Sequence, residues 1–447
     1  AHAIAPRAAW RLHLAFIGLL AGLSCVPSFN RIGAWSAVAG PMAAGIAVAS
    51  GYARWPALRL FTTYLVPVVV VAPALFVARS PVDPWRAAGD PSRRDATAVA
   101  LEPAAVRRPL PIAMLVFDEL PLVTLLDAEG RPDRTRHPSF ASLASQSLWA
   151  RNATTDASHT RRALPALLSS RLPDPARAHD SGGAPTLFEL LSRTHAITAA
   201  EPLVPLCPAS ICERGEPVAP WRRIADLLRD AALVRGWFLT PLPLRAFVTA
   251  PIDLMGAFGR AGIDRAHSGE AREDPSREPA ELRRFLESLR ADPSGRPVLL
   301  FAHVMLPHQP FVFLPTGQRY RAGDDRSYRP WASEDDALEF QRRHAAQAAY
   351  ADAVLGMFVD RVKRLGIWDE GIVVVTADHG LGFIVGSDPR NASAPTVGEV
   401  GWIPLFVRAP GVPAGTILDR ASSTVDVPAT ILDLLAASAP SPLDGRS

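Results

Sequence analysis

Two groups of acidic residues in the sequence follow short apolar runs, where strands of an α/β protein end. Asp118 follows the run in AMLVFDEL, and Asp378 and His379 follow the run in IVVVTADHG. Groups beyond the carboxyl ends of strands line the ligand crevice of an open α/β sheet. Two carboxylates and one imidazole there are suited to one divalent cation: Mn²⁺, Mg²⁺, Ca²⁺ or Zn²⁺. Taken alone, an Asp after a strand is more often a helix cap or a turn residue.

A hydroxyl-rich stretch, residues 152–171, has a polar first half and an apolar second half, a pattern typical of a loop that runs into a helix. A hydroxyl at a helix start meets free backbone N–H groups and the positive end of the helix dipole. Both features favour an oxyanion and a bound phosphate or sulfate. The structural alternative is that Ser158 or Thr160 only caps the helix, and without further context the cap is favoured.

The elements that would position these residues follow the pattern of an α/β domain, in which short apolar runs alternate with helical stretches. Residues 351–365 carry apolar side chains on one helical face, and Gly366 ends that helix. Thr186 and Glu189 form a capping box at the start of another helix. The predicted strands are Ile112–Phe117, Ala196–Ala199, Val298–His303, Ile372–Thr376 and Pro404–Val407.

The first eighty residues differ in kind from the rest. Three uncharged apolar segments, Leu14–Phe29, Ala34–Ala53 and Phe61–Ala78, are each close to the ~20 residues that a helix needs to cross a bilayer. Residues 1–80 are therefore predicted to be a membrane region with about three spans, and residues 81–109 a linker. The arginines around these segments give no clear orientation. The chain begins at Ala1 rather than Met, which is compatible with a fragment of a longer precursor.

Composition excludes some classes of protein. The net charge of +3 and the absence of a Lys/Arg run argue against nucleic-acid binding. Cys207 and Cys212 lie in a Pro-broken stretch and favour a short disulfide loop, which needs an oxidising compartment. A metal-binding pair is the alternative. A disulfide there favours an extracytoplasmic location for the large C-terminal part.

The order of four motifs resembles the sulfatase-like branch of the alkaline phosphatase superfamily. The motifs are VFDEL, NATT followed by TRRALPALLSS, FAHVMLPHQPF and VTADHG, and the tail segments IPLFVRAPG and STVDVPATILDLL look similar too. The resemblance implies a catalytic domain over residues 110–447, with an alkaline-phosphatase-like central mixed sheet flanked by helices. It is preceded here by transmembrane helices, as in phosphoglycerol and phosphoethanolamine transferases.

The resemblance also implies roles for individual residues. Asp118 matches the family's strand-end metal ligand, with Glu119 as a candidate second ligand, and Asp378 and His379 match its Asp-His pair. The family nucleophile precedes a Leu by seven positions in sulfatases and a Pro by five in the threonine-using transferases. Leu167 and Pro165 both lead back to Thr160, which would also contact the metal. Thr154, Thr155 and Ser158 remain weaker candidates.

Two histidines and one departure from the family complete the expected site. His303 and His308 fall where the family places groups that contact the anionic ester, and His308 is also expected to protonate the leaving oxygen. For either residue, a structural hydrogen-bonding role is the alternative. True sulfatases convert a Cys or Ser in a C-x-P-x-R pattern to an aldehyde, whereas position 160 is Thr. Two-zinc sites of the alkaline phosphatase kind generally use a histidine from the region after the Asp-His pair. No histidine follows His379, so the resemblance implies a single divalent cation.

These observations predict a membrane-anchored, extracytoplasmic hydrolase or transferase that uses a threonine nucleophile on phosphodiesters. The expected substrate is an anionic ester, lipid-linked or part of an envelope glycan, because anchoring concentrates the enzyme on the same surface. The alternatives are a sulfuric ester hydrolase and a degenerate homologue that acts as a binding module.

Overall fold

The computed structural model describes residues 6–30, 32–79, 105–174, 184–201, 203–204, 206–208, 210–212, 220–247, 279–320, 330–438 and 442–447. These residues form two compact units. The predicted linker at residues 81–109 lies mostly outside the described part.

The helices are α1 (Pro6–Phe29), α2 (Ser36–Arg54), α3 (Pro56–Arg79), α4 (Leu122–Leu125), α5 (Pro138–Gln146), α6 (Thr160–Ser169), α7 (Leu187–Leu191), α8 (Pro220–Leu239), α9 (Pro279–Ser288), α10 (Glu334–Arg364), α11 (Ile367–Glu370), α12 (Val397–Val400) and α13 (Asp426–Leu434). A 3₁₀ segment spans Leu242–Phe247.

The strands are β1 (Ala105–Val106), β2 (Ile112–Asp118), β3 (Leu148–Ala150), β4 (Ala153–Thr154), β5 (Ala196–Ala200), β6 (Val298–Pro307), β7 (Ile372–Ala377), β8 (Leu405–Arg408), β9 (Ile417–Leu418), β10 (Ser422–Ser423) and β11 (Ala437–Ser438). Each predicted strand coincides with one of these to within a few residues. The short strands β3 and β9 lie outside the predicted set.

The first unit contains α1, α2, α3, α8 and the 3₁₀ segment. In α1 and α2, Ala8–Phe29 and Ser36–Arg54 are long and apolar enough to cross a membrane. The third predicted span lies in α3, many of whose later side chains fall outside the described residues. The two apolar helices approach closely through glycines, since a Cβ built on Gly45 would stand 2.4 Å from the carbonyl oxygen of Gly18.

The second unit is built on a seven-stranded mixed sheet in the order β5-β6-β2-β7-β8-β3-β9. Strands β5, β6, β2 and β7 are parallel, and β8 runs antiparallel to its neighbours β7 and β3. The predicted α/β fold with a central mixed sheet is therefore confirmed. Parallel strands need helical crossovers on both faces, which explains why the sheet strands are apolar along their whole length.

Alternate residues of β2 enter two separate cores. Leu115 and Phe117 join a cluster with Val354 and Phe358 of α10. Met114 joins a cluster on the other face with Leu167 of α6. The period of two along the strand thus fixes α6 and α10 on opposite faces of the sheet, both reaching the carboxyl end of β2.

Several local predictions are confirmed. Helix α10 extends well before the predicted face at 351–365, and Gly366 follows it with a φ of 74°. Thr186 and Glu189 form the capping box at α7. Cys207 and Cys212 are joined by a disulfide with their Cα atoms 6.0 Å apart, which excludes the metal-pair alternative.

Candidate active site

Strands β2 and β7 bring three of the predicted ligands together. Asp118 ends β2, and Asp378 and His379 follow the adjacent parallel strand β7, so all three lie at one edge of the sheet. Their side chains are fully buried. The Nε2 atom of His379 lies 3.9 Å from Asp118 Oδ1 and 3.6 Å from Asp378 Oδ2. One ligand atom from each residue fits within 4.8 Å of the others, which makes them a candidate site for a divalent cation.

Helix α6 carries Thr160 to the same point. The Thr160 Oγ1 atom lies 3.5 and 3.4 Å from the two carboxylate oxygens of Asp118 and 3.4 Å from His379 Nε2. Thr160 is the first residue of the helix, and the preceding His159 makes no side-chain cap. The hydroxyl therefore points into the cluster rather than capping its own helix.

The hydrogen bonds made by His379 and Asp378 leave one acceptor atom of each side chain available to a cation. His379 Nδ1 lies 2.8 Å from the carbonyl oxygen of Gly380, which can only accept, so the lone pair is on Nε2. Asp378 Oδ1 accepts from the backbone N–H of His379 at 2.6 Å and of Glu119 at 3.3 Å. Asp378 Oδ2 is buried and has no hydrogen-bond partner among the described residues. An unprotonated imidazole nitrogen beside such a carboxylate oxygen fits a metal ligand set, held from behind by backbone groups.

His303 joins the cluster from β6, the strand on the other side of β2. Its Nε2 atom lies 3.5 Å from Asp118 Oδ2 and 3.9 Å from Asp378 Oδ2. The ring is buried. His303 thus lies between both carboxylates, within reach of anything bound to them.

His308 lies beside this cluster, in contact with Glu119 and Arg390. The guanidinium of Arg390 donates to Glu119 Oε1 at 2.5 Å and to His308 Nε2 at 2.7 Å. The Nδ1 atom of His308 lies 2.5 Å from the carbonyl oxygen of Gln309. Both ring nitrogens are therefore assigned: Nδ1 carries the proton and Nε2 accepts from Arg390.

Burial opposes ionisation of Glu119, yet the charges of its neighbours outweigh it. Desolvation acts to raise the pKa, while the basic groups around the carboxylate, the cationic Arg390 among them, lower it to about 2. Glu119 has a φ of 59°, a left-handed conformation that costs a non-glycine residue about 1–2 kcal/mol. Such strain is typical of functional sites. Glu119 thus stays an anion in the buried site.

Helix α10 holds this part of the site from behind with two buried residues. His344 Nε2 donates to the backbone oxygen of Glu119 at 2.9 Å, and burial lowers the His344 pKa to about 4. Gln347 donates to the carbonyl oxygens of Pro307 and His308 at 3.0 and 2.8 Å. These contacts were not foreseen from the sequence, because the residues lie inside a helix with no motif to mark them.

The weaker nucleophile candidates make other hydrogen bonds. Thr155 Oγ1 donates to the backbone oxygen of Asp378 at 2.5 Å, and Ser158 Oγ lies 3.2 Å from His159 Nδ1. Thr154 Oγ1 donates to the carbonyl oxygen of Ser422 at 3.4 Å. Thr155 therefore supports the Asp378 loop, whereas Thr160 is the hydroxyl that contacts the side chains of the cluster.

Sequence comparisons find relatives for part of this chain. Residues 272–437 match the family named Sulfatase. A stretch of 116 residues is 28% identical to arylsulfatase K of Bos taurus, and the match covers 26% of this chain and 21% of that protein. Arylsulfatase K of Canis lupus familiaris is 31% identical over 23% of this chain and 19% of its own length. The chain thus matches about a fifth of the length of these relatives.

Solved structures of two phosphonate monoester hydrolases are similar to this chain. The enzyme of Agrobacterium radiobacter has a TM-score of 0.48 and 16% identity, with 76% of each chain covered. The enzyme of Silicibacter pomeroyi has a TM-score of 0.45 and 18% identity, and the comparison covers 76% of this chain and 75% of that one.

Proposed function

From the premise that the chain carries a sulfatase-family domain, we propose that it is a metal-dependent ester-cleaving enzyme with Thr160 as its nucleophile. The observation that carries the proposal is the position of Thr160 Oγ1, within 3.5 Å of both Asp118 oxygens and His379 Nε2. A hydroxyl that reacts has to be near groups that favour its alkoxide form, and a helix N-terminus adds free backbone N–H groups to that environment.

Asp118, Asp378 and His379 would hold the cation. Three buried carboxylates, those of Asp118, Glu119 and Asp378, lie close together, and one guanidinium neutralises one of them. A divalent cation would neutralise the other two, which fits the high cost of buried unpaired charge. When bound, such an ion lowers the pKa of a coordinated hydroxyl and offsets charge on the transferring group.

Residues of the chain itself supply the nucleophile and bind the ester. The Thr160 hydroxyl loses its proton to solvent as Oγ1 forms a bond to phosphorus. The bond from phosphorus to the leaving oxygen breaks, this oxygen takes up a proton, and the phosphoryl group stays on Thr160. Water or a second alcohol then removes it. His303, between the carboxylates, contacts the anionic ester oxygens. The first backbone N–H groups of α6, those of Thr160 and Arg161, would stabilise the negative charge of this group.

His308 would contact the ester from its position beside Glu119 and Arg390. In the present hydrogen-bond pattern its proton is on Nδ1 and its Nε2 accepts from Arg390. A role in protonating the leaving oxygen therefore requires Arg390 to move from Nε2 when the anionic substrate binds, and Nε2 to take up a proton from solvent that it then gives to the leaving oxygen. We propose this exchange, because a guanidinium binds phosphate oxygens as readily as an imidazole nitrogen.

A sulfuric ester is the second candidate substrate. The similarity to arylsulfatase K favours it. Threonine at position 160 favours a phosphodiester instead, because the aldehyde of formylglycine sulfatases is formed from Cys or Ser. The apolar helices α1 and α2 support a membrane anchor and hence a lipid-linked or envelope substrate.

An aryl phosphodiester and an aryl sulfate, each assayed with added Mn²⁺, separate the two substrates. We expect faster turnover of the phosphodiester. Thr160→Val should lower kcat by at least about 10³-fold while the protein stays folded. Thr154→Ala removes a hydroxyl that bonds elsewhere and should keep full activity. Full activity in Thr160→Val would refute the nucleophile, and faster sulfate turnover would refute the phosphodiester substrate.

Mass spectrometry of the protein with substrate tests the intermediate directly, since Thr160 should carry the transferred phosphoryl group. Metal analysis tests the binding-module alternative. A stoichiometric divalent cation supports an enzyme, whereas a folded protein that takes up no divalent cation supports the binding module.

A further inference from the structure

A second group of potential metal ligands shares Asp118 with the first. Suitable atoms of Asp118, Glu119 and His308 also lie within 4.8 Å of one another, and all three side chains are buried. Two adjacent ligand groups that share a carboxylate have the layout of a two-metal site, whose ions stand about 3.5–4 Å apart. By its side chains alone, the chain could therefore bind two ions.

Arg390 occupies the second position. Its guanidinium donates to Glu119 Oε1 at 2.5 Å and to His308 Nε2 at 2.7 Å. These are two of the atoms that a second ion would use. Because a guanidinium has only donors, its bond to His308 takes up the lone pair that a metal would need.

As long as no anionic substrate draws Arg390 away, contacts at both ends of the ion pair keep the guanidinium in this place. The backbone N–H of Arg390 donates to Asp388 Oδ1 at 2.9 Å, which fixes the start of the side chain. At the other end Glu119 is itself held, since its Oε2 accepts from the backbone N–H of Gln309 at 3.3 Å. Both ends of the ion pair are therefore positioned by backbone contacts.

We infer that Arg390 is a built-in cation that closes a second divalent-metal site made by Asp118, Glu119 and His308. The described cluster then holds a single exchangeable ion, and removal of the guanidinium opens a site for another. The inference rests on the proposed function only in taking the first ion to lie with Asp378 and His379.

Metal stoichiometry tests this inference. The full chain is dialysed to equilibrium against Mn²⁺, and bound metal is measured per folded protein. Arg390→Ala should bind one equivalent more than the wild-type chain. Arg390→Ala combined with Glu119→Gln should lose that extra equivalent, because it removes a ligand. Electron paramagnetic resonance of Arg390→Ala should show two coupled Mn²⁺ ions.

Two further variants control for charge and for folding. Arg364→Ala removes an exposed arginine and should leave the metal content unchanged. Arg390→Met keeps most of the side-chain volume and should also gain one equivalent, so it replaces Arg390→Ala if that variant does not fold. An unchanged metal content in the folded position-390 variants would overturn the inference.

The outcome is separable from that of the proposed function. A gain of one equivalent at position 390, cancelled by Glu119→Gln, supports the second site whether or not turnover depends on Thr160. Conversely, turnover that requires Thr160 in a chain with unchanged metal content upholds the nucleophile and rejects the second site.

Discussion

At the scale of single residues, the candidate site depends on how closely backbone groups approach behind the ligands. Gly380 follows His379. The backbone oxygen of Gly380 accepts a hydrogen bond from His379 Nδ1 at 2.8 Å. The Gly380 backbone N–H in turn donates to Val400 at 2.8 Å. A Cβ at position 380 would stand 2.0 Å from the backbone oxygen of Glu399. Only a glycine fits there without moving the loop that orients His379.

Gly380→Ala should therefore weaken both folding and metal binding. We expect a loss of about 1–3 kcal/mol in the free energy of unfolding, typical of overpacking, together with a higher Kd for Mn²⁺. Denaturant titration and a Mn²⁺ titration measure the two effects. Gly398→Ala is the matched control, because a Cβ there meets nothing within 4 Å. Equal behaviour of the two variants would contradict the argument.

At the scale of elements, α10 fixes the segment that follows β6. Gln347 donates to Pro307 and His308 through Nε2, and its Oε1 accepts from the backbone N–H groups of Val312 and Phe313 at 3.0 and 3.1 Å. One buried amide thus bonds to the last residue of β6 and to three backbone groups of the segment after it, which has no regular secondary structure. The position of His308 follows from this helix rather than from its own strand.

Gln347→Ala should destabilise the protein by about 2–4 kcal/mol, because it leaves buried backbone groups without partners. It should also raise KM more than it lowers kcat if His308 contacts the substrate. Gln341→Ala, on an exposed turn of the same helix, should stay within about 0.5 kcal/mol of the wild type. Chemical denaturation and steady-state kinetics measure both variants. A Gln347→Ala protein as stable as Gln341→Ala would refute this structural role of Gln347.

A residue of α10 also caps the N-terminus of α5, although the two helices are far apart in the sequence. Asp352 accepts from the backbone N–H groups of Ser139 and Phe140 at 3.1 and 2.9 Å, while the local N-cap residue His137 makes no side-chain cap. Asp352 is buried, so its carboxylate stabilises the positive end of α5 with little screening by water.

Asp352→Ala should lower the free energy of unfolding by about 1–3 kcal/mol, through the lost cap and two unpaired N–H groups. Thermal and denaturant unfolding give the value. Asp360→Ala removes an exposed carboxylate from the same helix and should have almost no effect. A similar loss in both variants would mean that charge on α10, not the cap, stabilises the protein.

The same contacts explain how far the sequence could predict the site. Asp118, Thr160, Asp378 and His379 stand in motifs beside strongly apolar strands, so their proximity followed from strand order and helix start. Arg390 is an arginine in a loop of an arginine-rich chain, and its pairing with Glu119 across 271 positions depends on tertiary packing.

Short elements escaped prediction for a related reason. Strands β3 and β9 have three and two residues, too few for a period of two to be visible. The first half of α10 was missed because its buried face includes His344 and Gln347, which are polar. These two residues are buried by hydrogen bonding to the site, a cause that a hydrophobic pattern does not reveal.

At the scale of the whole molecule, each of the two units has a feature that bears on the cellular location of the protein. The first contains the apolar helices α1 and α2, and the second contains the disulfide between Cys207 and Cys212. Disulfides persist in oxidising compartments and are rare in the cytosol. A chain anchored in a membrane with its catalytic unit on the oxidising side would satisfy both observations.

Counting free thiols in cells tests this arrangement. The chain has three cysteines, and Cys25 is free. After an acid quench and denaturation, a polymer-linked maleimide should add once to the exported protein, at Cys25, and three times after reduction. The Cys25→Ala variant should show no maleimide addition before reduction and two additions after it. Three additions before reduction would place residues 207 and 212 in a reducing compartment. The catalytic unit would then face the cytoplasm, and an extracytoplasmic substrate would be excluded.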